Sequence, residues 1–266
     1  MSAVTAPIPA PARSIRNAEA SIPMRTLVEV ELRKMVDTRA GRWLLIGVGA
    51  ITVLVLGVAL ITGDSGTRSF TNLLAVAQLP LAILLPVLGI LAATSEWTQR
   101  TVLTTFSLVP TRSRVLTAKV AAALLISLGA IVFSLIVAAI GAIVAPIFGP
   151  ADSDWGIGIS TLGQDVVYQV FQMLLGVALG TLLLNSALAI VLNFVLPTIW
   201  SGLTGSITSL HDVQKWLDPG TTWMHLVDPD FTMAGQAWGQ ILTTALFWIA
   251  LPLGLGLARV LRKEVD

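Results

Sequence analysis

Gly63-Asp64-Ser65-Gly66 has the shape of a serine-nucleophile turn, and His211 and His225 are the only two histidines in the chain. A nucleophilic serine needs a base within hydrogen-bond reach. Ser65 sits in a short polar turn between two apolar runs, whereas both histidines fall in a distant polar segment. A six-span intramembrane serine hydrolase using Ser65 is therefore kept only as the alternative reading. Cysteine is absent, which removes thiolate nucleophiles and thiolate metal sites. Two histidines fourteen residues apart make a poor metal site. No G-x-x-x-x-G-K-[ST] loop occurs, so the chain does not cradle nucleotide phosphates by that route.

A different kind of chemistry is concentrated between Glu96 and Lys119. Val102, Phe106 and Val109 recur at i, i+4 and i+7, an apolar stripe ended by Pro110. The residue before a proline is pushed out of the helical region, so a helix stops there. Thr111 or Ser113 is placed to cap the next helix. A short helix with one apolar stripe, beside Arg112 and Arg114, suits a groove on a soluble partner. A basic turn anchored at a membrane interface has the same composition. Within the apolar runs, Asp165, Gln169 and Gln172 lie on one helix face, Ser186 and Asn193 share another, and Gln78 stands in a third. Gln78, Gln169, Gln172, Ser186 and Asn193 form a candidate substrate path. Interhelical hydrogen bonds, usually worth about 1 kcal/mol, are the alternative for each.

The elements that must hold these residues are membrane helices. The 266-residue chain is 55% hydrophobic and 12% charged, against about a quarter charged in soluble domains. Six apolar stretches read as spans, at 43–62, 71–95, 120–147, 166–184, 187–200 and 238–258, the first of them, at twenty residues, enough for a hydrocarbon core of about 30 Å. Pro80 and Pro86 suggest kinks in the second. Asn185 and Ser186 alone separate the fourth from the fifth. Six spans place fourteen of the sixteen Lys and Arg on one side, leaving Arg68 and Lys215 on the other with eight Asp. Basic loops stay in the cytoplasm, so both termini are expected there. The expected fold is all-α and polytopic.

Residues 1–23, with Pro7, Pro9, Pro11 and Pro23, read as a disordered cytoplasmic tail preceding a transmembrane domain at 24–266. Across 24–40, Val28, Leu32, Met35 and Val36 form a helical stripe, and Glu29 can pair with Arg33. This pattern predicts an amphipathic helix lying in the inner interface, or a solvated lead-in. Between spans five and six, Ser206–Ala237 alternates Trp216, Trp223, Phe231 and Met233 with Asp218-Pro219 and Asp228-Pro229. Short re-entrant helices on the outer side are expected, acting as a lid or an inert cap.

Six spans, an inner lead-in helix and a loop after span two carrying Glu, Thr, Pro, Ser-Arg and Lys together resemble the membrane-spanning permease subunits of type-2 ABC exporters. Here those loop positions are Glu96, Thr101, Pro110, Ser113, Arg114 and Lys119, and Arg100 stands where the family often has Gly. The ending Leu255-Gly256-Leu257-Ala258-Arg259 to Asp266 is similar as well. The resemblance implies a transport subunit in the cell membrane with no catalytic or cofactor site of its own. ATP and Mg would be bound by two separate ATPase subunits. A second permease, identical or paralogous, and the bilayer are the other expected partners; nucleic acid is not. It also implies a coupling helix near 101–109 and Glu96 bridging span two to it through Arg100. A non-transporting membrane anchor is the remaining alternative, and the aliphatic spans lean toward an amphiphilic cargo.

Overall fold

The computed structural model describes residues 22–103, 107, 109, 111–152, 155–227 and 235–262. Among them every regular element is helical. Six helices are long and apolar enough to cross a membrane: Arg39–Thr62, Phe70–Thr98, Arg112–Ile147, Ile159–Leu183, Ser186–Ser206 and Gly235–Arg262. This is the pattern of a multi-pass membrane protein. Helix α1 (Met24–Asp37) precedes the first of them, α2 (Arg39–Thr62), and Thr38 breaks the chain between the two. Its extended backbone ends α1, and its hydroxyl accepts from Gly41 N at 3.2 Å to start α2.

Helix α3 (Phe70–Thr98) is the hub. Two-thirds of its most apolar window is buried, 67%, against 17% for the fifth long helix. It packs on α2, on α4 (Arg112–Val144, continued by a 3-10 turn to Ile147) and above all on α5 (Ile159–Leu183). The α3–α5 seam is built from small residues: Cβ atoms added at Gly176 would meet the Pro86 backbone, and at Gly180 the Ile90 backbone. Gly176 and Gly180 are spaced as Gly-x-x-x-Gly, which lets two helix backbones approach without hydrophobic drive from water.

Spans four and five are separate helices. Leu184 turns left-handed at φ 55°, and the Asn185 side chain accepts from Leu188 N at 3.0 Å to cap α6 (Ser186–Ser206). Several helices outrun their apolar runs: α4 begins at Arg112 rather than 120, and α6 continues to Ser206. Hydropathy marks what lipid can accept, whereas the backbone bonds of a helix continue until a cap or proline stops them.

After α6 the chain makes a 3-10 turn, α7 (His211–Leu217), α8 (Pro219–Thr222) and another 3-10 turn at Met224–Leu226. Asp218, fully buried, caps α8 by accepting from Thr221 N at 3.0 Å and from the Ser201 hydroxyl. Thr222 donates to Thr244 at 3.0 Å, Thr244 to the Trp216 carbonyl at 2.9 Å, and Trp248 Nε1 to the Leu217 carbonyl at 2.7 Å. The segment is thereby tied to α6 and to the last long helix. That helix comprises α9 (Gly235–Ala245), a π-helical turn (Leu246–Ala250) and α10 (Leu251–Arg262). The 1–21 part of the predicted tail, and Phe231 and Met233, lie outside the described residues.

Candidate functional site

The end of the bundle where α3 stops gathers α1, the start of α4, the α5–α6 turn and the end of α10. It holds the chain's main buried ion cluster. Glu31 on α1 and Glu96 on α3 are 4% and 6% exposed, and Lys119 on α4 is 4% exposed. Lys119 Nζ donates to Glu31 Oε2 at 2.7 Å and to the Ala92 carbonyl at 3.0 Å, and lies 3.1 Å from Glu96 Oε1. An ammonium has three N–H bonds, and three acceptors surround this one. Lys34 closes the cluster at 2.7 Å from Glu31 Oε1 and 2.8 Å from Glu96 Oε1. Two carboxylates and two ammonium groups therefore join three helices with no net charge.

Burial acts to lower the Lys34 pKa, but the Glu31 and Glu96 carboxylates raise it above the ordinary 10.5. A raised lysine pKa stabilises the fold fully below the ordinary value and loses that contribution only as pH rises through the raised one. Lys34 thus keeps its charge, and its share of the cluster, across the neutral and mildly alkaline range.

The loop's resemblance singled out Glu96 and Lys119 but not Glu31 or Lys34. The expected partner of Glu96 was Arg100, and this is corrected: Arg100 is exposed, and Glu96 bonds Lys34 and Lys119 instead. Arg100 has a backbone role. Its φ is 56°, its N–H reaches the Trp97 carbonyl at 3.4 Å, and Thr101 N reaches the Glu96 carbonyl at 2.9 Å. These two bonds are the Schellman closure of a helix C-terminus, whose left-handed residue is normally Gly. A Gly at this position relieves a side-chain clash. Arg100→Gly is expected to raise stability by about 0.5–1 kcal/mol, read as a higher unfolding midpoint of the purified protein. An unchanged or lower midpoint speaks against this turn.

The predicted partner-facing stripe also turns out differently. Val102 and Val109 are 5% and 7% exposed; Val109 packs with Leu27, Val115 and Ala118 of the same chain. Val109 closes onto the protein because its own α1 and α4 supply the apolar cover. Leu103, at 56% exposed, points outward instead, as does Ser107. Phe106 and Pro110 lie outside the described residues. Thr111 occupies the N-cap of α4 without a side-chain cap bond, and Ser113 is exposed, so neither predicted hydroxyl caps that helix.

The basic residues beyond the loop are used internally. Arg112 Nη1 donates to the Val260 carbonyl at 2.6 Å, and Arg114 Nη2 to the Ile22 carbonyl at 2.5 Å. Arg259 Nη1 donates to the Leu182 carbonyl at 2.7 Å. The Val260 and Leu182 carbonyls lie in the last turns of α10 and α5, where a cation satisfies terminal carbonyls and the helix dipole together; Ile22 precedes α1. These bonds draw the two ends of the described chain and the α5–α6 turn to the Glu96 end.

The α1 stripe differs in detail too: Leu27, Glu31 and Met35 are buried, Val28 and Leu32 flank the core, and Val36 is exposed. Glu29 and Arg33 pair at 2.7 Å as their spacing suggested.

The five predicted path residues separate into three places. Gln169 Nε2 donates to Gln78 Oε1 at 3.1 Å, so these two join α5 to α3 inside the bundle. Ser186 shares hydrogen bonds with Thr94 at 2.6 Å and Thr98 at 3.2 Å, near the ion cluster. Gln172 and Asn193 line one cleft between α3, α5, α6 and α8. Ser65 lies in the α2–α3 turn, where its carbonyl accepts from Asp152 N at 3.3 Å, while His211 bonds the Gly205 carbonyl at 3.2 Å. No family model matches this chain, and no curated protein matches it.

Proposed function

We propose that this chain is the permease subunit of an ATP-binding-cassette exporter, driven by separate ATPase subunits acting at the loop between α3 and α4. In this reading the Glu96 end faces the cytoplasm of a cell or inner membrane, with both termini there. The fourteen basic residues sorted to that side support the orientation. Two permeases, identical or paralogous, pair over two ATPases that carry ATP and Mg. The α7–α8 segment is re-entrant on the opposite face.

The observation that carries the reading is the joint formed by Glu31, Lys34, Glu96 and Lys119. A push on the loop after α3 reaches α1, α3 and α4 together, because one buried ion cluster ties all three. Force applied to a flexible loop would dissipate; applied to this joint it moves three helices as a body. Leu103, exposed in the loop that follows α3, is the contact offered to a partner.

The test is affinity purification of the tagged chain from its native cells, followed by vesicle transport. An ATPase subunit is expected to co-purify, and Leu103→Glu is expected to lower its recovery at least tenfold, with the permease still folded. That corresponds to about 1.4 kcal/mol of binding. Recovery unaffected by Leu103→Glu removes the contact, and no ATPase with the native chain removes the exporter reading. Labelling by a serine-reactive fluorophosphonate that disappears in Ser65→Ala would instead favour the hydrolase.

A further inference from the structure

The cleft between α3, α5, α6 and α8 has a volume of about 320 Å³, within the range of small-molecule sites. Its walls are largely apolar, and no charged residue among the described ones lines it. Two polar side chains on it are almost wholly buried: Asn193 is 6% exposed and Trp223 is 2%. Asn193 Oδ1 and Trp223 Nε1 make no hydrogen bond among the described residues. Buried polar atoms are nearly always paired, because leaving one unpaired is costly. One of these atoms is an acceptor and the other a donor.

The prolines add to the same place. Pro86 in α3 and Pro197 in α6 both line the cleft. A proline inside a helix has no N–H for the carbonyl four residues earlier. Those carbonyls belong to Ala82 and Asn193, which line the cleft too. In lipid such freed carbonyls must find other donors. Gln172 Nε2 donates to the Tyr168 hydroxyl at 3.1 Å, leaving the Tyr168 proton and the Gln172 carbonyl for a further partner. Trp223 is held against Phe171, with ring centroids 5.5 Å apart, so its N–H is fixed before anything binds.

From this arrangement we infer that the cleft binds the head of an uncharged, hydroxyl-bearing amphiphile, with its acyl or alkyl tail leaving between α3 and α6. Donors and acceptors both face this site, and a hydroxyl head serves both, its O–H donating to an acceptor and its oxygen accepting from an N–H such as that of Trp223. Among the described residues, neither a carboxylate nor an ammonium head finds a counter-charge on these walls. Leu79 and Ile83, 59% and 55% exposed, form the apolar side on which a tail lies. As cargo of an exporter the amphiphile rests on the proposed function; as a bound ligand it does not.

The experiment measures tryptophan quenching of the purified full chain in nanodiscs by a dibrominated monoacylglycerol. Bromine quenches at contact, and the chain has eight tryptophans, so binding at the cleft is read from the saturable part of the quenching that variants of the cleft remove. Saturable quenching is expected, at least tenfold tighter than for a dibrominated fatty-acid anion or a brominated alkyltrimethylammonium. Asn193→Leu is expected to weaken it at least fivefold while Trp223 remains as reporter. Pro197→Ala, which returns a helical N–H to the Asn193 carbonyl, is expected to weaken it severalfold and keeps the test open should Asn193→Leu fold poorly. Equal quenching by all three probes, or quenching indifferent to the folded variants, overturns the proposal. Because the assay needs no ATP and no partner, its result stands apart from ATPase co-purification.

Discussion

Lys119→Met is expected to cost about 3–5 kcal/mol of stability, because it leaves Glu31 and Glu96 buried with only Lys34 between them. The ammonium of Lys119 lies within 2.7 to 3.1 Å of three acceptors, and its side chain is 5% exposed. Exposed pairs such as Glu29–Arg33, 53% and 70% exposed, are worth under about 1 kcal/mol. The difference is solvent: water repairs a broken surface pair and has little access to Lys119 and its two carboxylates, 5–8% exposed. The diagnostic comparison is the double variant Glu31→Met/Lys119→Met. It removes one charge of each sign and retains the Lys34–Glu96 contact at 2.8 Å, so it should be more stable than Lys119→Met alone. The measurement is the unfolding midpoint of each purified variant. A double variant no more stable than the single one means that the four groups do not act as a unit.

The spans were legible because an apolar run of some twenty residues has few other uses. The fold class, the division at Asn185 and the Glu29–Arg33 pair rest on sequence-local signals of that kind. The cluster was only half legible. Glu31 lies 88 residues from Lys119 in sequence, and on a helical wheel a carboxylate reads as part of the solvated face. The missed signal was positional: Glu31 falls four residues from both Leu27 and Met35, on the face that proved buried. Val102 and Val109, the described ends of the predicted stripe, show another limit. Periodicity says that a face is covered without saying by what, and α1 and α4 cover Val109. Arg112 and Arg114 read as free basic charge because their acceptors, the Val260 and Ile22 carbonyls, are backbone groups at the far ends of the chain. Gln78 and Gln169 read as path-lining for the same reason; each is the other's partner from 91 residues away. Arg100 was marked as a departure from glycine, and its left-handed backbone supplies the physical content of that departure.

Gly176→Ala and Gly57→Ala are expected to change stability in opposite directions. In an exposed helix interior, replacing Gly by Ala gains roughly 0.5–1 kcal/mol by removing backbone freedom from the unfolded chain. Gly57 on α2 has nothing within 4 Å of an added Cβ, so it should show that gain. Gly176 has the same helical preference, but its Cβ would run into the carbonyl, C and Cα of Pro86. Backbone cannot rotate away as a side-chain end can, so α3 and α5 must separate. Overpacking typically costs about 1–3 kcal/mol, which outweighs the propensity gain, and Gly176→Val should cost more than Gly176→Ala. Separation also reaches the cleft, since Ala82 and Pro86 of α3 and Leu175 of α5 line it. A widened seam displaces the freed Ala82 carbonyl from Asn193 and Trp223, so monoacylglycerol quenching should weaken in Gly176→Ala and remain unchanged in Gly57→Ala. Equal midpoints for the two alanine variants would mean that the hub helix and α5 are not in backbone contact. The close approach of the two Pro-bearing and Gly-bearing helices would then give no rigid wall to the cleft.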